Sequence, residues 1–241
     1  MYELIDGKKR LLDRKKPFPV HTLRSIREHL IVNWIYHSNA IEGNTLTLSE
    51  TKVALEGITV GGKTIKEHLE VINHKDAILY VEEIVGRQEP LTEWQIKNIH
   101  RLILKGIDDE HAGVYRKENV IIGGAVHIPP EAVQVPLQME QFIRWYDGKG
   151  QQLHPAERAA VVHIDFVKIH PFIDGNGRTA RLLLNFELMK SGYPPIVIEN
   201  DSRADYYASL DYAHTTGDHL KFVQLVTTML DRTFDLYLKL V

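Results

Sequence analysis

Apolar residues recur every three to four positions along most of this chain, and that spacing limits it to a fold of packed α-helices. The first such stripe runs from Leu23 through Ile26 and Leu30 to Trp34. Glycines and capping residues divide the rest into further helical segments, over about 47–57, 65–81, 92–103, 136–147, 155–169, 179–190, 203–213 and 218–240. The sequence therefore predicts an all-α helical bundle.

Two of these helices carry a recognisable start signal. Thr47 with Glu50, and Thr92 with Gln95, have the three-residue spacing of a capping box, in which the two residues satisfy each other's free backbone N–H groups. Pro155 lies in the first turn of its segment, where the missing N–H of proline costs no hydrogen bond. We expect helices to begin at these three places.

One segment departs from the helical pattern. The β-prone runs 120–122 and 126–128 lie on either side of Gly123 and Gly124, and two prolines follow. The sequence predicts a small β-hairpin here, projecting as a flap from the helices.

Charge and composition exclude several classes of partner. The formal charge is -3, so no overall field favours nucleic acid or an anionic membrane. No apolar run approaches the length of a membrane span or a signal peptide, and the absence of cysteine excludes disulfides and thiolate metal sites. We expect a cytoplasmic protein that binds neither nucleic acid nor membrane, with the basic residues of 8–16 solvated at a partly mobile N-terminus.

The segment between two predicted helices, residues 170–181, concentrates groups suited to phosphate chemistry. Gly175 and Gly177 flank Asn176, so the backbone can turn successive N–H groups inward as an anion-binding nest at the start of a helix. Arg178 and Arg181 lie three residues apart and project from one side of that helix. Two forked guanidinium groups beside a nest favour a polyphosphate ligand.

A base and a metal ligand are available in the same segment. His170 ends the preceding helix and can take a proton from an attacking hydroxyl, and Asp174 offers Mg²⁺ a carboxylate at the mouth of the nest. His163 lies two helical turns before His170, about 10.5 Å away, which is too far to share a metal ion, so we assign it to packing or to support of the site. Together these groups indicate transfer from a nucleoside triphosphate.

Residues 170–181 resemble the signature of the Fic family, His-Pro-Phe-x-Asp-Gly-Asn-Gly-Arg-x-x-Arg, at every specified position. Gly113–Arg116, Val120–Pro130 and Gly192–Tyr207 are similar to the corresponding parts of Fic domains, so the resemblance covers roughly 38–235. It implies an all-α Fic fold whose flap is a β-hairpin. Residues 1–60 are then an N-terminal helical region and residues 61–241 the catalytic core.

The resemblance also implies ATP as substrate and Mg²⁺ as cofactor. In the family pattern His170 is the base and Asp174 holds the metal ion. Arg181 reaches the γ-phosphate, and Tyr207 lies against adenine, near His214 where relatives carry asparagine. The implied phosphate-binding residues are Gly175, Asn176, Gly177 and Arg178, and the implied target-docking residues of the flap are Ile122, Gly123, Gly124 and His127.

An inhibitory motif precedes this core. Residues 38–44 resemble the Fic inhibitory sequence, and Ser38 and Glu42 are one helical turn apart on one face. Glutamate is unfavourable near a helix C-terminus, so a buried basic partner explains Glu42 better than a position that merely caps or lies exposed at the helix end. If this helix packs over the nest, Glu42 can pair with Arg181 and neutralise the positive charge that would otherwise bind the γ-phosphate.

The sequence therefore predicts a protein adenylyltransferase that moves AMP from ATP to a Ser, Thr or Tyr hydroxyl of a target protein and is autoinhibited by Glu42. Both glycines of the signature, Gly175 and Gly177, are kept, which favours AMP transfer over transfer of the terminal phosphate. Modification of the chain itself and a homodimer stay open. Two alternatives also remain: a hydrolase that removes AMP from protein with the same site, and a catalytically silent nucleotide-sensing interaction module.

Overall fold

The computed structural model describes all 241 residues and contains ten α-helices. They are α1 (Tyr2–Arg14), α2 (Val20–Ile41), α3 (Leu48–Leu55), α4 (Ile65–Gly86), α5 (Glu93–Leu104), α6 (Val135–Asp147), α7 (Pro155–Ile169), α8 (Asn176–Lys190), α9 (Arg203–Thr216) and α10 (Leu220–Leu240). This confirms the all-α prediction. No helix combines the length and apolarity that crossing a bilayer would require.

Helix α8 lies at the centre of the bundle and is buried along most of its length. It packs against α7, with α4 and α5 on one side, while α9 and α10 pack on α7. Leu182, Leu183 and Phe186 join the core shared with α4, α5 and α6, whereas Leu184 and Leu188 join the core shared with α1, α9 and α10. A helix with apolar residues all round is expected in such a position.

Helix α2 crosses this bundle so that its C-terminal end reaches the start of α8. It packs on α4 and contacts α8, and its buried residues include Trp34, Ile35 and Ile41. The C-terminal residues of α2 therefore meet the loop between α7 and α8, where the sequence places its chemistry.

The predicted helix starts are largely confirmed. Thr47 and Glu50 form the reciprocal capping box, and Pro155 occupies the first turn of α7. Thr92 accepts from the N–H of Gln95, but the Gln95 side chain bonds Tyr80 and Glu89 instead of returning to the cap. That cap is therefore one-sided.

The N-terminus is a packed helix and not the partly mobile segment that was expected, although Arg10, Arg14, Lys15 and Lys16 are exposed as expected. Residues 2–14 form α1, which packs on α10 and buries Ile5 and Leu12. Lys8 pairs with Asp231 at 2.6 Å and with Asp235 at 2.5 Å. The acidic partners lie more than two hundred residues away in sequence, so the charge run alone could not reveal them.

The flap was predicted as a β-hairpin, and this part of the prediction is wrong. Residues 117–131 run out and back around a turn at Gly123 and Gly124, but no strand pair forms. One backbone bond, from Ala125 N to Ile122 O at 3.2 Å, closes the turn. Isolated two-stranded hairpins are marginal in water, and neither arm of this flap has a third strand to pair with.

Candidate active site

The loop between α7 and α8 is held by two left-handed backbone positions. His170 has φ 50° and ends α7, and Gly175 has φ 76° and precedes the first residue of α8. Helix α8 begins at Asn176, three residues earlier than the sequence predicted, because Gly175 makes the reversal at once. The N–H groups of the glycine-rich segment are thus the free first-turn groups of a long buried helix, which favours anions there.

The side chain of Asn176 closes this loop. Its Oδ1 accepts from Phe172 N at 3.0 Å, and its Nδ2 donates to Phe172 O at 2.8 Å. Both ends of the amide are therefore engaged in holding the turn. Any contact of Asn176 with phosphate must come from its backbone N–H.

His170 lines a cavity of about 400 Å³ at the start of α8. Its Nδ1 is buried without a partner, so Nε2 is the nitrogen that can meet a ligand. Burial, reinforced by the guanidinium of Arg116, lowers the pKa of the His170 imidazole to about 4. At neutral pH the ring is uncharged and able to accept a proton.

Glu42 lies directly over the first turn of α8. Its Oε1 accepts from Arg181 Nη2 at 2.7 Å, which is the ion pair that the sequence predicts. A methyl group added to Gly177 would collide with the same oxygen. The carboxylate therefore occupies the mouth of the nest, where an anionic ligand would otherwise sit.

Arg181 is held from three directions. Its Nε donates to Ser38 Oγ at 2.9 Å and its Nη2 to Ser38 O at 2.8 Å, while Nη1 donates to the hydroxyl of Tyr206 at 3.3 Å. Burial alone would lower the pKa of this guanidinium, but Tyr206 and Glu42 outweigh it and the pKa is raised. The arginine is a permanent buried cation whose charge is matched by Glu42.

Arg178 and Asp174 lie at the side of the nest. Arg178 is buried and pairs with Glu70 at 3.4 Å and with Asp174 at 3.5 Å. Asp174 Oδ1 also accepts from Gly175 N at 2.6 Å, and its side chain is about half exposed. No three acidic or histidine side chains form a metal site of their own. A single accessible carboxylate beside a phosphate site nevertheless suits Mg²⁺, which takes most of its ligands from water and phosphate.

The cavity brings together residues from distant parts of the chain. One wall of it is formed by α9, where Tyr207 is partly exposed and Arg203 lies 5.2 Å from the Tyr207 ring centre. His214 also lines it and donates through Nε2 to Ile164 O at 3.0 Å. Eight residues singled out from the sequence line this one cavity: Glu42, Ile122, Gly123, Gly124, His170, Gly177, Tyr207 and His214.

The flap covers this cavity, with one exception among its predicted residues. His127 turns away, donates through Nε2 to Lys168 O at 2.9 Å, and lines a neighbouring groove. The flap is anchored over α9 by Val126 N, which donates to Asp211 at 3.3 Å. Three of the four predicted flap residues therefore face the ligand space, and His127 fixes the flap to α7.

Sequence reasoning missed residues that support the site from behind. His100 of α5 accepts from Gly113 N at Nδ1 and donates from Nε2 to Asp174 O, both at 2.8 Å, and it stacks on Phe172 at 3.6 Å. Burial lowers its pKa to about 4, so it stays neutral in this bridging role. Only the tertiary fold brings His100 to the loop; no local pattern marks it.

His163 supports the site through Tyr206. The Tyr206 hydroxyl, which accepts from Arg181, lies 3.1 Å from His163 Nε2, and the His163 ring stacks on Phe222. Burial lowers the pKa of His163 well below its usual range. Its contacts are those of a packed residue that orients Tyr206, in line with the sequence assignment.

The sequence pattern of the Fic/DOC family matches residues 90–188, which include the whole α7–α8 loop. Over 218 residues the chain is 40% identical to the protein adenylyltransferase Fic of Drosophila melanogaster. That alignment covers 90% of this chain and 44% of the Drosophila protein, so the chain spans less than half the length of that relative.

Solved structures of Fic proteins match this chain over nearly its whole length. A Fic-1 fragment from C. elegans is 33% identical, with a TM-score of 0.89, and the match covers 99% of this chain and 72% of that one. A Fic domain containing signaling protein from Bacteroides thetaiotaomicron is 32% identical, also with a TM-score of 0.89, over 98% of this chain and 95% of that one.

Proposed function

Because the chain belongs to the Fic/DOC family, we propose that it is a protein adenylyltransferase, which moves the AMP part of ATP onto a hydroxyl group of a protein. The observation that carries the proposal is the single cavity in which a neutral His170 faces the nest at the start of α8. The name of the Drosophila relative supports the same activity.

In this reaction His170 is the general base. Its Nε2 accepts the proton of an acceptor hydroxyl, whose oxygen attacks the α-phosphorus of ATP. The bond from the α-phosphorus to the bridging oxygen of the β-phosphate breaks, AMP stays on the acceptor, and pyrophosphate leaves. Burial keeps the His170 imidazole in its uncharged, proton-accepting form at neutral pH, which is compatible with this role.

The triphosphate is bound by the start of α8. We propose that the backbone N–H groups of Asn176 and Gly177 and the guanidinium of Arg178 bind phosphate oxygens, that Gly175 joins them when its N–H leaves Asp174, and that Arg181 is the cation for the terminal phosphate. Tyr207 is the proposed aromatic contact of the adenine ring. We propose Asp174 as the protein ligand of Mg²⁺, which would offset the charge on the phosphates and the leaving pyrophosphate.

Glu42 is the proposed inhibitor of this reaction. Its carboxylate pairs with Arg181 and covers Gly177, so ATP must either displace it or bind with its terminal phosphate elsewhere. Ser38 supports the inhibited state by holding Arg181 through both its hydroxyl and its carbonyl. Residues 1–60 would then act as the inhibitory region and 61–241 as the catalytic core.

The proposed acceptors are Ser, Thr or Tyr hydroxyls of target proteins. The flap residues Ile122, Gly123 and Gly124 line the cavity and are the proposed docking site for the target backbone, since their lack of strand partners leaves backbone groups free. The cytoplasmic location, the homodimer and modification of the chain itself stay predictions from the sequence.

Labelled ATP tests the function. The chain with Glu42→Gly is incubated with Mg²⁺, a cell lysate and ATP carrying the label on either the α- or the γ-phosphate. Relative to the lysate alone, we expect the chain to add protein labelling from the α-label and none from the γ-label. Added labelling from the γ-position would show phosphate transfer, and added labelling from neither would contradict the proposal.

The reverse chemistry is a second candidate, because Glu42 and His170 line one cavity and Glu42 could orient a water molecule towards a modified protein. Protein that already carries labelled AMP distinguishes the two. Release of AMP that depends on Glu42 supports the hydrolase, whereas label gained from ATP only when Glu42 is removed supports the transferase.

The pH dependence of transfer follows from the environment of His170. Burial and Arg116 lower the pKa of His170, whereas the charges of Glu42 and Asp174 raise it, so Glu42→Gly shifts it further down from about 4. Protonation removes the base, so the rate falls only as the pH approaches that lowered value. Between pH 7 and pH 5.5 we expect the rate of the Glu42→Gly chain to change by less than about twofold.

If the base were a histidine with an ordinary pKa, the transfer rate would fall about tenfold over that interval. The measurement is the initial rate of α-label transfer at saturating ATP, with the melting temperature followed at each pH as a control for unfolding. An inflection near pH 6.5 in a folded protein would contradict the role assigned to burial.

A further inference from the structure

Arg116 is a buried cation that no carboxylate neutralises. Its side chain makes three hydrogen bonds, all to backbone carbonyl groups: Nε to His170 O at 2.8 Å, Nη1 to Glu118 O at 2.9 Å, and Nη2 to Pro130 O at 2.5 Å. The residue is 3% exposed, and burial lowers the pKa of the guanidinium with no ion pair to offset it. Burying a charge without an ion-pair partner costs free energy, and here three hydrogen bonds to carbonyl groups are what offset it.

The three acceptors belong to two structures. Glu118 and Pro130 are the two stems of the flap, and His170 is the proposed base at the end of α7. The backbone N–H of Arg116 adds a bond to Pro171 O at 2.9 Å. One residue therefore connects both ends of the flap to the loop that carries the imidazole.

A second contact shows that the stems of the flap are held together here. The N–H of Ala132 donates to Asn119 Oδ1 at 2.8 Å. Between these stems the flap lacks strand pairing, and its apolar side chains at Ile121, Val126 and Ile128 are exposed. Apart from the bonds of Val126 to Asp211 and of His127 to Lys168, the position of the flap depends on how its two ends are fixed.

We infer that Arg116 is a positioning residue that fixes both stems of the flap relative to His170. An acceptor hydroxyl bound at the flap is then held at a fixed position relative to the imidazole. This rests on the proposed function, in which the flap holds the acceptor. Misplacing reacting groups by about an ångström lowers rates by about 100-fold, so a fixed distance between the acceptor and His170 matters for transfer.

The arrangement requires arginine and not merely a positive charge. A planar guanidinium presents five N–H donors in fixed directions and can bond three carbonyls that lie on different sides of it. A lysine ammonium is a single point on a flexible stem. Arg116→Lys should therefore keep the charge but release at least one of the three carbonyls.

The test compares Arg116→Lys and Arg116→Gln with their parent, the Glu42→Gly chain. Two products of α-labelled ATP are measured with Mg²⁺: AMP on lysate proteins, which needs the flap and the base, and AMP released to water by the purified chain without lysate, which needs only the base. We expect protein labelling to fall by about 10- to 100-fold and release to fall less, with ATP affinity changed by less than about threefold.

Arg158→Lys in the same background is the matched control, because it makes the same change at another largely buried arginine, one that pairs with Glu187 away from the cavity. It should leave both products near the parent level. If protein labelling is unchanged, or falls no more than release, in an Arg116 variant that melts like the parent and binds ATP, the inference is wrong.

A measurement on the unsubstituted chain covers the case in which both Arg116 variants unfold. Hydrogen exchange at the Arg116 Nε–H, followed by NMR of arginine-labelled protein, should be slow, because this proton is bonded to His170 O. Fast exchange would overturn the inference. Absence of labelling by the parent itself would instead count against the proposed function.

Discussion

Glu42→Gly is expected to raise the transfer of AMP to protein by about 10- to 100-fold. The carboxylate accepts from Arg181 at 2.7 Å and covers the first turn of α8, so its removal frees both the guanidinium and the nest for the triphosphate. A hydrogen-bonded charge pair of this kind contributes about 1.5–3 kcal/mol, which corresponds to that range of rates. The measurement is the initial rate of α-label incorporation at fixed ATP.

Glu56→Gly is the matched control for this change. Glu56 also follows the last residue of a helix, has a similar backbone conformation and is exposed, but it lies outside the cavity. It should leave the rate at the level of the unsubstituted chain. A Glu42→Gly protein that binds ATP and still labels at background would favour the catalytically silent module over an enzyme.

His170→Ala in the Glu42→Gly chain is expected to lower AMP transfer by about 10²- to 10⁴-fold, the contribution of a positioned general base. Phosphate binding should persist, because the nest belongs to α8 and its loop is closed by Asn176. The rate and the ATP affinity are measured together. Lost transfer with retained affinity identifies His170 as the base.

His29→Ala in the same background controls for loss of a histidine, since His29 is exposed on α2 and does not line the cavity. Its transfer rate should match that of the parent. Near-parent transfer by the His170→Ala chain would place the base elsewhere, and the proposed reaction would have to be rewritten.

Features set by local spacing could be predicted from the sequence. The helix starts at Thr47 and Pro155 depend on residues within one turn, and the structure contains both. The pair between Glu42 and Arg181 was also predictable, because residues 38–44 resemble the Fic inhibitory sequence and a glutamate after a helix C-terminus favours a cationic partner, which α8 supplies. In each case the deciding interaction is local or has few candidate partners.

Contacts that depend on tertiary packing could not be predicted. Lys8 pairs with residues of α10 at the other end of the chain, so α1 is a packed helix where its basic residues indicated a mobile segment. His100 and Arg116 reach the site by bonding backbone carbonyls, and a carbonyl carries no sequence signature. The β-hairpin prediction was wrong because the local pattern was present but the tertiary contact was not: the β-prone residues of the flap lack a partner strand.

Calorimetric titration of ATP and ADP tests most directly whether Glu42 occupies the place of the terminal phosphate. Both nucleotides are titrated with Mg²⁺ into the unsubstituted and the Glu42→Gly chains. We predict similar affinities for ATP and ADP in the unsubstituted chain, and an ATP affinity raised about tenfold or more over that for ADP once Arg181 is free. An ATP to ADP affinity ratio that is the same in both chains would contradict the account.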